Sequence, residues 1–120
     1  VVMIKLGTND SKPQNWKHKG YFYHDYLELI REFRALPANP TIYICTPVPA
    51  YADRWGIRDE IIVDEQIPTI RRLARNTGSM LIDLYVPLSG KEHMFPDMIH
   101  PDRDGAAAMA REIYRYVSHS

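Results

Sequence analysis

Several features that would place the chain in a simple class are missing from its sequence. The 120 residues contain one cysteine, Cys45, which excludes an internal disulfide, and its apolar neighbours indicate a buried, inert thiol rather than a nucleophile. Basic and acidic residues number 15 each, so no long-range field favours nucleic acid or an anionic membrane. No apolar run approaches the length of a membrane span. We therefore expect neither nucleic acid nor a membrane as a partner, and the residues leave the compartment open.

Three short apolar runs are present instead, and each predicts a buried β-strand. They cover residues 1–6, 41–45 and 80–85, and glycine or proline follows each of them closely. Their nearly continuous apolar character is typical of parallel strands that are covered on both faces.

Helical periodicity follows each of these runs. The first apolar stripe ends at Pro37 and consists of Tyr26, Leu29, Ile30 and Phe33. The second ends at Gly78 and consists of Ile67, Ile70, Leu73 and Ala74. Pro68 lies inside the second stripe, so either the helix begins near it or a longer helix from about Arg58 is kinked there. The last helix is expected over residues 104–117, with an inward face of Ala108, Met109, Ile113 and Val117.

The alternation of strands and helices predicts an α/β fold with three layers, a parallel sheet between helices. Two connections, residues 8–24 and 47–59, are longer than a simple link requires, and both follow the carboxyl end of a strand. The loop around residues 97–100 follows the third strand at the same edge. Because ligands bind at this edge of open α/β sheets, we expect the three loops to form a site.

The chain begins within its first strand, without a turn or a polar lead-in. Residues 1–6 are apolar enough for a central strand, which needs a neighbour on each side. We therefore expect residues 1–120 to be the C-terminal part of one larger α/β domain. The alternative is a small three-layer domain whose first strand is an edge.

The most informative motif is Asp97-Met98-Ile99-His100, between Pro96 and Pro101. An aspartate three residues before a histidine can accept the imidazole Nδ1–H, fix the tautomer and stabilise the imidazolium, which is the base half of a hydrolase. The alternative is a capping loop in which Asp102 or Asp104 caps the last helix and His100 is merely exposed.

A second motif, Gly7-Thr8-Asn9-Asp10, closes the first strand. The glycine permits a tight turn, and an asparagine amide there can donate to a developing oxyanion. The alternative is an ordinary turn, since glycine, asparagine and aspartate all form turns. The presence of both motifs at one edge of the sheet favours a functional site.

Together the two motifs resemble the SGNH hydrolases, also called the GDSL-type esterases and lipases. Residues 7–10 are similar to the block whose asparagine belongs to the oxyanion hole, and residues 97–100 are similar to the block with the orienting aspartate and the general base. The run Leu6–Trp16, residues 46–49 with 55–57, and residues 87–90 leading into 95–97 resemble members described as carbohydrate acetylesterases, including sialate O-acetylesterase-like proteins.

This resemblance implies a flavodoxin-like sheet of five strands in the order 2-1-3-4-5, of which the three strands here are the last. It implies a catalytic His100, an orienting Asp97, an oxyanion donor in Asn9, and no cofactor. Gly7 and Asp10 are expected beside the substrate, an acetylated carbohydrate. A secreted or periplasmic protein is compatible with the resemblance.

The nucleophile of the family is absent from the sequence. The Gly-Asp-Ser block and the block with the second oxyanion-hole glycine do not occur, so we expect both, with two strands, before Val1. Their segment, or another chain, is expected along residues 1–6. Ser11 and Ser89 do not lie in a strand-to-helix turn that would aim a hydroxyl at His100.

Three further interpretations stay open. The aromatic residues of the two long loops could stack on a sugar ring or pin the loops to the core, and Trp16 and Trp55 are the best candidates for stacking among Trp16, Tyr21, Tyr23, Tyr51 and Trp55. His93, Asp97 and His100 could instead bind a metal, although no further cysteine or paired histidine supports this. The chain could also be a non-catalytic carbohydrate-binding or structural module, or part of a lipase or thioesterase.

Overall fold

The computed structural model describes residues 1–118. Its centre is a parallel sheet of three strands in the spatial order β1-β2-β3. The strands are β1 (Val2–Lys5), β2 (Ile42–Cys45) and β3 (Met80–Ile82). Ile4 lies beside Ile44, and Ile44 lies beside Leu81. The predicted α/β class and the parallel pairing are confirmed.

The third strand is shorter than the sequence predicts. β3 ends at Ile82 rather than near Tyr85, and a one-turn helix, α5 (Tyr85–Leu88), follows. One carboxylate oxygen of Asp83 accepts hydrogen bonds from the backbone N–H groups of Tyr85 and Val86, at 2.9 and 3.2 Å. These bonds satisfy free donors at the start of the helix, so the chain leaves the sheet earlier than its apolar residues indicate.

Helices cover both faces of the sheet, as the order of elements predicts. On one face, α2 (Lys19–Arg34) and α4 (Ile67–Thr77) enclose a cluster of buried side chains from β1 and β2. On the other face, α6 (Arg103–Val117) packs on a second cluster that includes Cys45. The predicted inward residues of α6 take part in that contact; they are Ala108, Met109, Ile113 and Val117. Burial raises the pKa of the Cys45 thiol to about 11, which agrees with the expected inert role.

The segment after β1 is more ordered than the predicted loop over residues 8–24. It forms a 3-10 turn (Asn9–Ser11) and a one-turn helix, α1 (Pro13–Trp16), before α2 begins at Lys19. The proline opens α1, where its missing N–H group is not needed, and the indole of Trp16 anchors the turn because only 7% of the residue is exposed.

Three aromatic residues of that segment are therefore helical, and their predicted place in a loop was wrong. Trp16 ends α1, and Tyr21 and Tyr23 lie in the first turns of α2. The second predicted loop is confirmed. Residues 46–58 contain no helix or strand, apart from an isolated bridge between Arg54 and Ile57.

The helix around Pro68 begins well before the proline, as one of the two interpretations predicts. α3 (Asp59–Ile61) starts directly after Arg58 and passes through a π-helical segment, Ile62–Gln66, into α4. A proline inside a helix removes one backbone hydrogen bond and crowds the preceding turn. The π-helical segment ends two residues before Pro68 and accommodates the missing bond and the crowding.

The outer edge of β1 is exposed and carries apolar side chains. Among residues 1–118, no strand pairs with this edge, since β1 pairs only with β2. Met3 of β1 and the flanking Val1 and Leu6 are exposed to 39%, 76% and 42%, which is high for apolar side chains in and next to a strand of an α/β protein. No helix within residues 1–118 has the length and apolar character that crossing a membrane requires.

Candidate active site

The side chains of Asp97 and His100 form a hydrogen-bonded pair at the carboxyl edge of the sheet. The imidazole Nδ1 lies 2.7 Å from Oδ2 of the carboxylate. The other carboxylate oxygen, Oδ1, accepts from the backbone N–H groups of Ile99 and His100, at 2.8 and 2.6 Å. The carboxylate thus holds both the ring and the backbone that carries it. The histidine side chain is 66% exposed, so the remainder of the ring is accessible.

These contacts fix the charge of the aspartate and the tautomer of the histidine. The backbone and side-chain hydrogen bonds from His100, with that from the N–H of Ile99, lower the pKa of Asp97 to about 2. The carboxylate is therefore ionised at neutral pH and can only accept. Because an acceptor faces Nδ1, that nitrogen carries the hydrogen, and the lone pair of a neutral ring lies on Nε2.

The loop that carries the pair is pinned at both ends. Before it, Phe95 is fully buried, and within it Met98 has a positive φ of 70°, a backbone turn that brings residues 97 and 100 together. After it, Asp102 caps α6 by accepting from the N–H of Gly105 at 2.8 Å. The capping role predicted as an alternative therefore belongs to Asp102, and it coexists with the pair of Asp97 and His100.

The turn after β1 is held in place by a close fit around Gly7. Its φ is +134°, and a Cβ atom at this position would lie 2.9 Å from both Gln66 Oε1 and Pro47 Cγ. Only glycine fits such a backbone and such a space. The side-chain amide of Gln66 donates to the Gly7 carbonyl at 2.6 Å, and the glutamine is fully buried.

The far end of the same turn is held by Ser11. This buried serine donates from Oγ to the Thr8 carbonyl at 2.8 Å and accepts from the N–H of Arg58 at 3.1 Å. The amide of Asn15 donates to the Asn9 carbonyl at 2.9 Å. The turn is thus tied at one end to Gln66 and at the other to Arg58, while Asn9 itself is exposed.

The turn and the histidine loop face each other across a cleft of about 320 Å³. It is lined by the end of β1 and its turn, by Val48, and by the histidine loop; the residues are Lys5, Leu6, Gly7, Thr8, Asn9, Asp10, Val48, Ile99, His100 and Pro101. Partial burial raises the pKa of Asp10 in this lining. Four sequence-predicted residues, Gly7, Asn9, Asp10 and His100, therefore line one cleft.

The loop over residues 46–58 packs beside the ring of His100. The indole of Trp55 lies beside the His100 ring, with centroids 5.9 Å apart and planes inclined by 44°. The guanidinium of Arg54 lies 4.6 Å above the same indole, and its Nη1 donates to the Asp97 carbonyl at 3.3 Å. The N–H of Tyr51 donates to the Met98 carbonyl at 2.8 Å. Two of the three predicted loops are thus joined by direct contacts at the histidine.

Trp16 lies apart from this cleft. It lines a second cleft of about 410 Å³ between the turn and α2, together with Tyr21 and Phe22. The indole packs edge-on against Phe22, with centroids 5.4 Å apart. Leu6 and Asp10 line both clefts, so the two lie on opposite sides of one turn.

Neither resident serine of interest presents a free hydroxyl to the histidine. Ser11 is fully buried in the turn, and Ser89 donates from Oγ to the Tyr85 carbonyl at 2.7 Å. His93 does not join a cluster either. Within residues 1–118, no group of three histidine, cysteine, aspartate or glutamate side chains is arranged to hold a metal ion.

Three residues that shape the site were not predicted from the sequence: Gln66, Arg54 and Asp59. Asp59 accepts from the N–H of Ala50 at 2.9 Å and from the hydroxyl of Tyr85 at 2.6 Å, and so closes the base of the long loop. Gln66 carried a detectable signal, because it is a polar residue four positions from Ile62 and from Ile70 on a buried stripe. A polar side chain in such a stripe needs a partner. Arg54 and Asp59 carried none, since loop charges are common.

The chain is similar to proteins that are described as esterases or lipases. An acetylxylan esterase of Xylanibacter ruminicola is 39% identical over 131 aligned positions, which cover 94% of this chain and 27% of that protein. No profile of a known protein family matches the sequence. The chain thus spans about a quarter of the length of the curated relative it matches.

Two solved structures share the fold. A protein described as an arylesterase of Agrobacterium tumefaciens superimposes with a TM-score of 0.80 at 26% identity, over 98% of this chain and 60% of that one. A GDSL-like lipase of Parabacteroides merdae superimposes with a TM-score of 0.71 at 17% identity, over 98% of this chain and 61% of that one. The second likeness concerns the fold alone.

Proposed function

Because the chain belongs to the SGNH/GDSL-type hydrolase family, we propose that it is the C-terminal part of a serine esterase domain that removes O-acetyl groups from carbohydrates. The observation that carries the proposal is the hydrogen-bonded pair of Asp97 and His100 at the mouth of a cleft lined by the turn of Asn9. A base, its orienting carboxylate and a side-chain amide donor at one cleft are the parts of acyl transfer that these residues can supply.

In this mechanism His100 is the general base. With Nδ1 bonded to Asp97, Nε2 takes the proton of a serine hydroxyl as the oxygen attacks the acetyl carbonyl, and then returns it to the sugar alkoxide. Asp97 holds the ring and stabilises the imidazolium. Nε2 then takes a proton from a water molecule as its oxygen attacks the acyl carbon, and returns that proton to the serine oxygen as acetate leaves.

Asn9 is the oxyanion donor of the proposal. Its side-chain amide donates to the oxygen of the tetrahedral intermediate, a contribution worth about 3 kcal/mol of transition-state stabilisation. Gly7 lets the turn approach the cleft closely, and Asp10 shapes its partly buried wall.

The carbohydrate part of the proposal is supported by two observations. The relative at 39% identity is described as an acetylxylan esterase. Trp55, exposed to 53% beside His100, presents an aromatic surface next to the base, where the apolar face of a sugar ring can pack. The likeness to a protein described as an arylesterase makes aryl acetates the class of substrate to test against acetylated sugars.

The serine nucleophile and the partner of β1 belong to the same proposal. We infer that the nucleophile comes from a segment before Val1, and that this segment, or another chain, pairs with the unpaired edge of β1. The exposed apolar side chains of Val1, Met3 and Leu6 support the inference that another strand covers this edge. The 40% of the arylesterase-like structure that the chain does not span is long enough for further strands of the sheet.

The test compares the gene product in which the chain occurs with the 120-residue chain alone. We expect the former to release acetate from acetylated xylo-oligosaccharides, to be labelled at a serine by a fluorophosphonate, and to lose activity in the His100→Ala variant. We expect no turnover by the chain alone. Turnover by the chain alone that Ser11→Ala or Ser89→Ala abolishes would contradict the proposed source of the nucleophile. Preference for acyl thioesters or long-chain lipids would contradict the substrate class.

A further inference from the structure

Gln66 forms a buried hydrogen bond to the turn that carries Asn9. Its Nε2 donates to the Gly7 carbonyl at 2.6 Å, and this bond joins two segments that are 59 residues apart in the chain. Asn9, the proposed oxyanion donor, is two residues from the clamped carbonyl. The side chain of Gln66 is fully buried and does not line the cleft, so it does not touch a substrate.

Gln66 lies where the helical path changes from π-helix to α-helix. The residue ends the π-helical segment Ile62–Gln66, directly before α4. One extra residue in a helical turn rotates the two flanking parts against each other by about 100°. Gln66 and its neighbour Ile67 are both buried, Gln66 against the turn and Ile67 in a hydrophobic cluster. Single π-helical turns of this kind are frequent at functional sites.

The side-chain oxygen of Gln66 indicates that the residue does more than fill space in the core. Oε1 is buried and has no hydrogen-bond partner among residues 1–118, which costs stability. A methionine or leucine would fill this space without that penalty. The arrangement costs stability but gives the Gly7 carbonyl a second donor beside the backbone N–H of Ser11, which lies at 3.2 Å, and this suits a positioning role.

We propose that Gln66 is a positioning residue for the oxyanion turn: its buried amide clamps the Gly7 carbonyl and thereby holds the side chain of Asn9 at the reacting carbonyl. The inference rests on the proposed esterase function. The bond from the N–H of Arg58 to Ser11 Oγ holds the other end of the same turn, so Gln66 and Ser11 fix Asn9 between them. Loss of one clamp lets the turn shift, and a displacement of about 1 Å can lower a rate about a hundredfold.

The experiment is a double-mutant cycle in the gene product in which the chain occurs, with an acetylated xylo-oligosaccharide as the substrate. Gln66→Met removes the donor and keeps the length of the side chain. We expect kcat to fall about tenfold to a hundredfold and KM to stay within about threefold, because the turn acts on the transition state. In the Asn9→Ala background the same substitution should lower kcat less than about threefold. The exposed Gln14→Met is the matched control and should leave kcat unchanged.

Each outcome decides between the two proposals. An equal loss of kcat in both backgrounds, or a loss confined to KM, shows that Gln66 only supports the fold and overturns the inference. Full kcat in Asn9→Ala, or no hydrolysis by the unsubstituted protein, overturns the proposed function and the inference with it. If Gln66→Met does not fold, Gln66→Asn, which keeps the amide but is one methylene shorter, is taken through the same cycle and judged by the same criteria.

Discussion

The indole of Trp55 lies beside the imidazole of His100, with ring centroids 5.9 Å apart, and the guanidinium of Arg54 lies 4.6 Å from the centre of the same indole. A long surface loop thus reaches back to His100. Trp55 has a positive φ of 54°, a backbone conformation that a bulky residue adopts only where its surroundings enforce it. The contact therefore belongs to the architecture of the site.

Trp55→Ala should weaken the use of acetylated sugars more than that of small aryl acetates. Packing of a sugar ring on an exposed indole is worth about 0.5–1.5 kcal/mol, which corresponds to about a twofold to tenfold increase in KM. Steady-state kinetics with both substrates measure the difference. Tyr114→Ala, which removes an exposed aromatic residue from α6, is the control. An equal effect of Trp55→Ala on both substrates would show that the indole only orients the imidazole.

Asp97→Asn should abolish most of the activity while it preserves the fold. An amide in place of the carboxylate no longer selects the Nδ1–H tautomer or stabilises the imidazolium, and comparable changes lower kcat by about four orders of magnitude. Acetate release by the whole gene product measures the loss. Asp53→Asn, at an exposed carboxylate in the loop of Trp55, is the matched control. Activity within tenfold of the unsubstituted protein would remove Asp97 from the mechanism.

The same carboxylate should also affect stability in acid. The pKa of Asp97 is lowered from its ordinary value of 3.8 to about 2 in the folded chain. A group with a lowered pKa stabilises the fold fully above its ordinary pKa and loses that contribution as the pH falls through the folded value. The unfolding temperature should therefore fall more between about pH 5 and pH 2 in the unsubstituted chain than in Asp97→Asn. Circular dichroism at several pH values measures this, and parallel curves for the two proteins would contradict it.

Gly7→Ala should destabilise the chain, whereas Gly20→Ala should not. The backbone has a φ of +134°, and the new Cβ would lie 2.9 Å from Gln66 Oε1 and from Pro47 Cγ. Strain of this kind costs about 1–3 kcal/mol in the free energy of unfolding. Gly20→Ala in α2, where the new Cβ would meet nothing within 4 Å, should be neutral or stabilising by up to about 1 kcal/mol. Urea unfolding of both variants makes the comparison, and equal stabilities would show that the turn relaxes easily.

The sequence was sufficient for the parallel sheet, the three long helices α2, α4 and α6, and the two motifs at its edge, because each has a strong local signal. The apolar run that ends at Cys45 and the stripe through Leu73 are periodic, and residues 97–100 combine an unusual spacing with flanking prolines. The short helix α1 escaped prediction, since four residues are too few to show a period. The position of Gln66 in a buried stripe indicates that it needs a partner, but its bond to Gly7 and the orientation of Trp55 depend on contacts between residues far apart in the chain.

The unpaired edge of β1 should make the chain associate when it is produced alone. The edge exposes backbone hydrogen-bonding groups next to the apolar side chains of Val1 and Met3, which is a template for another strand. We expect oligomers in sedimentation velocity at micromolar concentration, and fewer of them in Met3→Lys, because a charge on an edge strand opposes pairing. Tyr114→Lys places the same charge on α6 and should change nothing. A chain that is monomeric and stable over the whole concentration range would contradict the inference that a further strand covers β1.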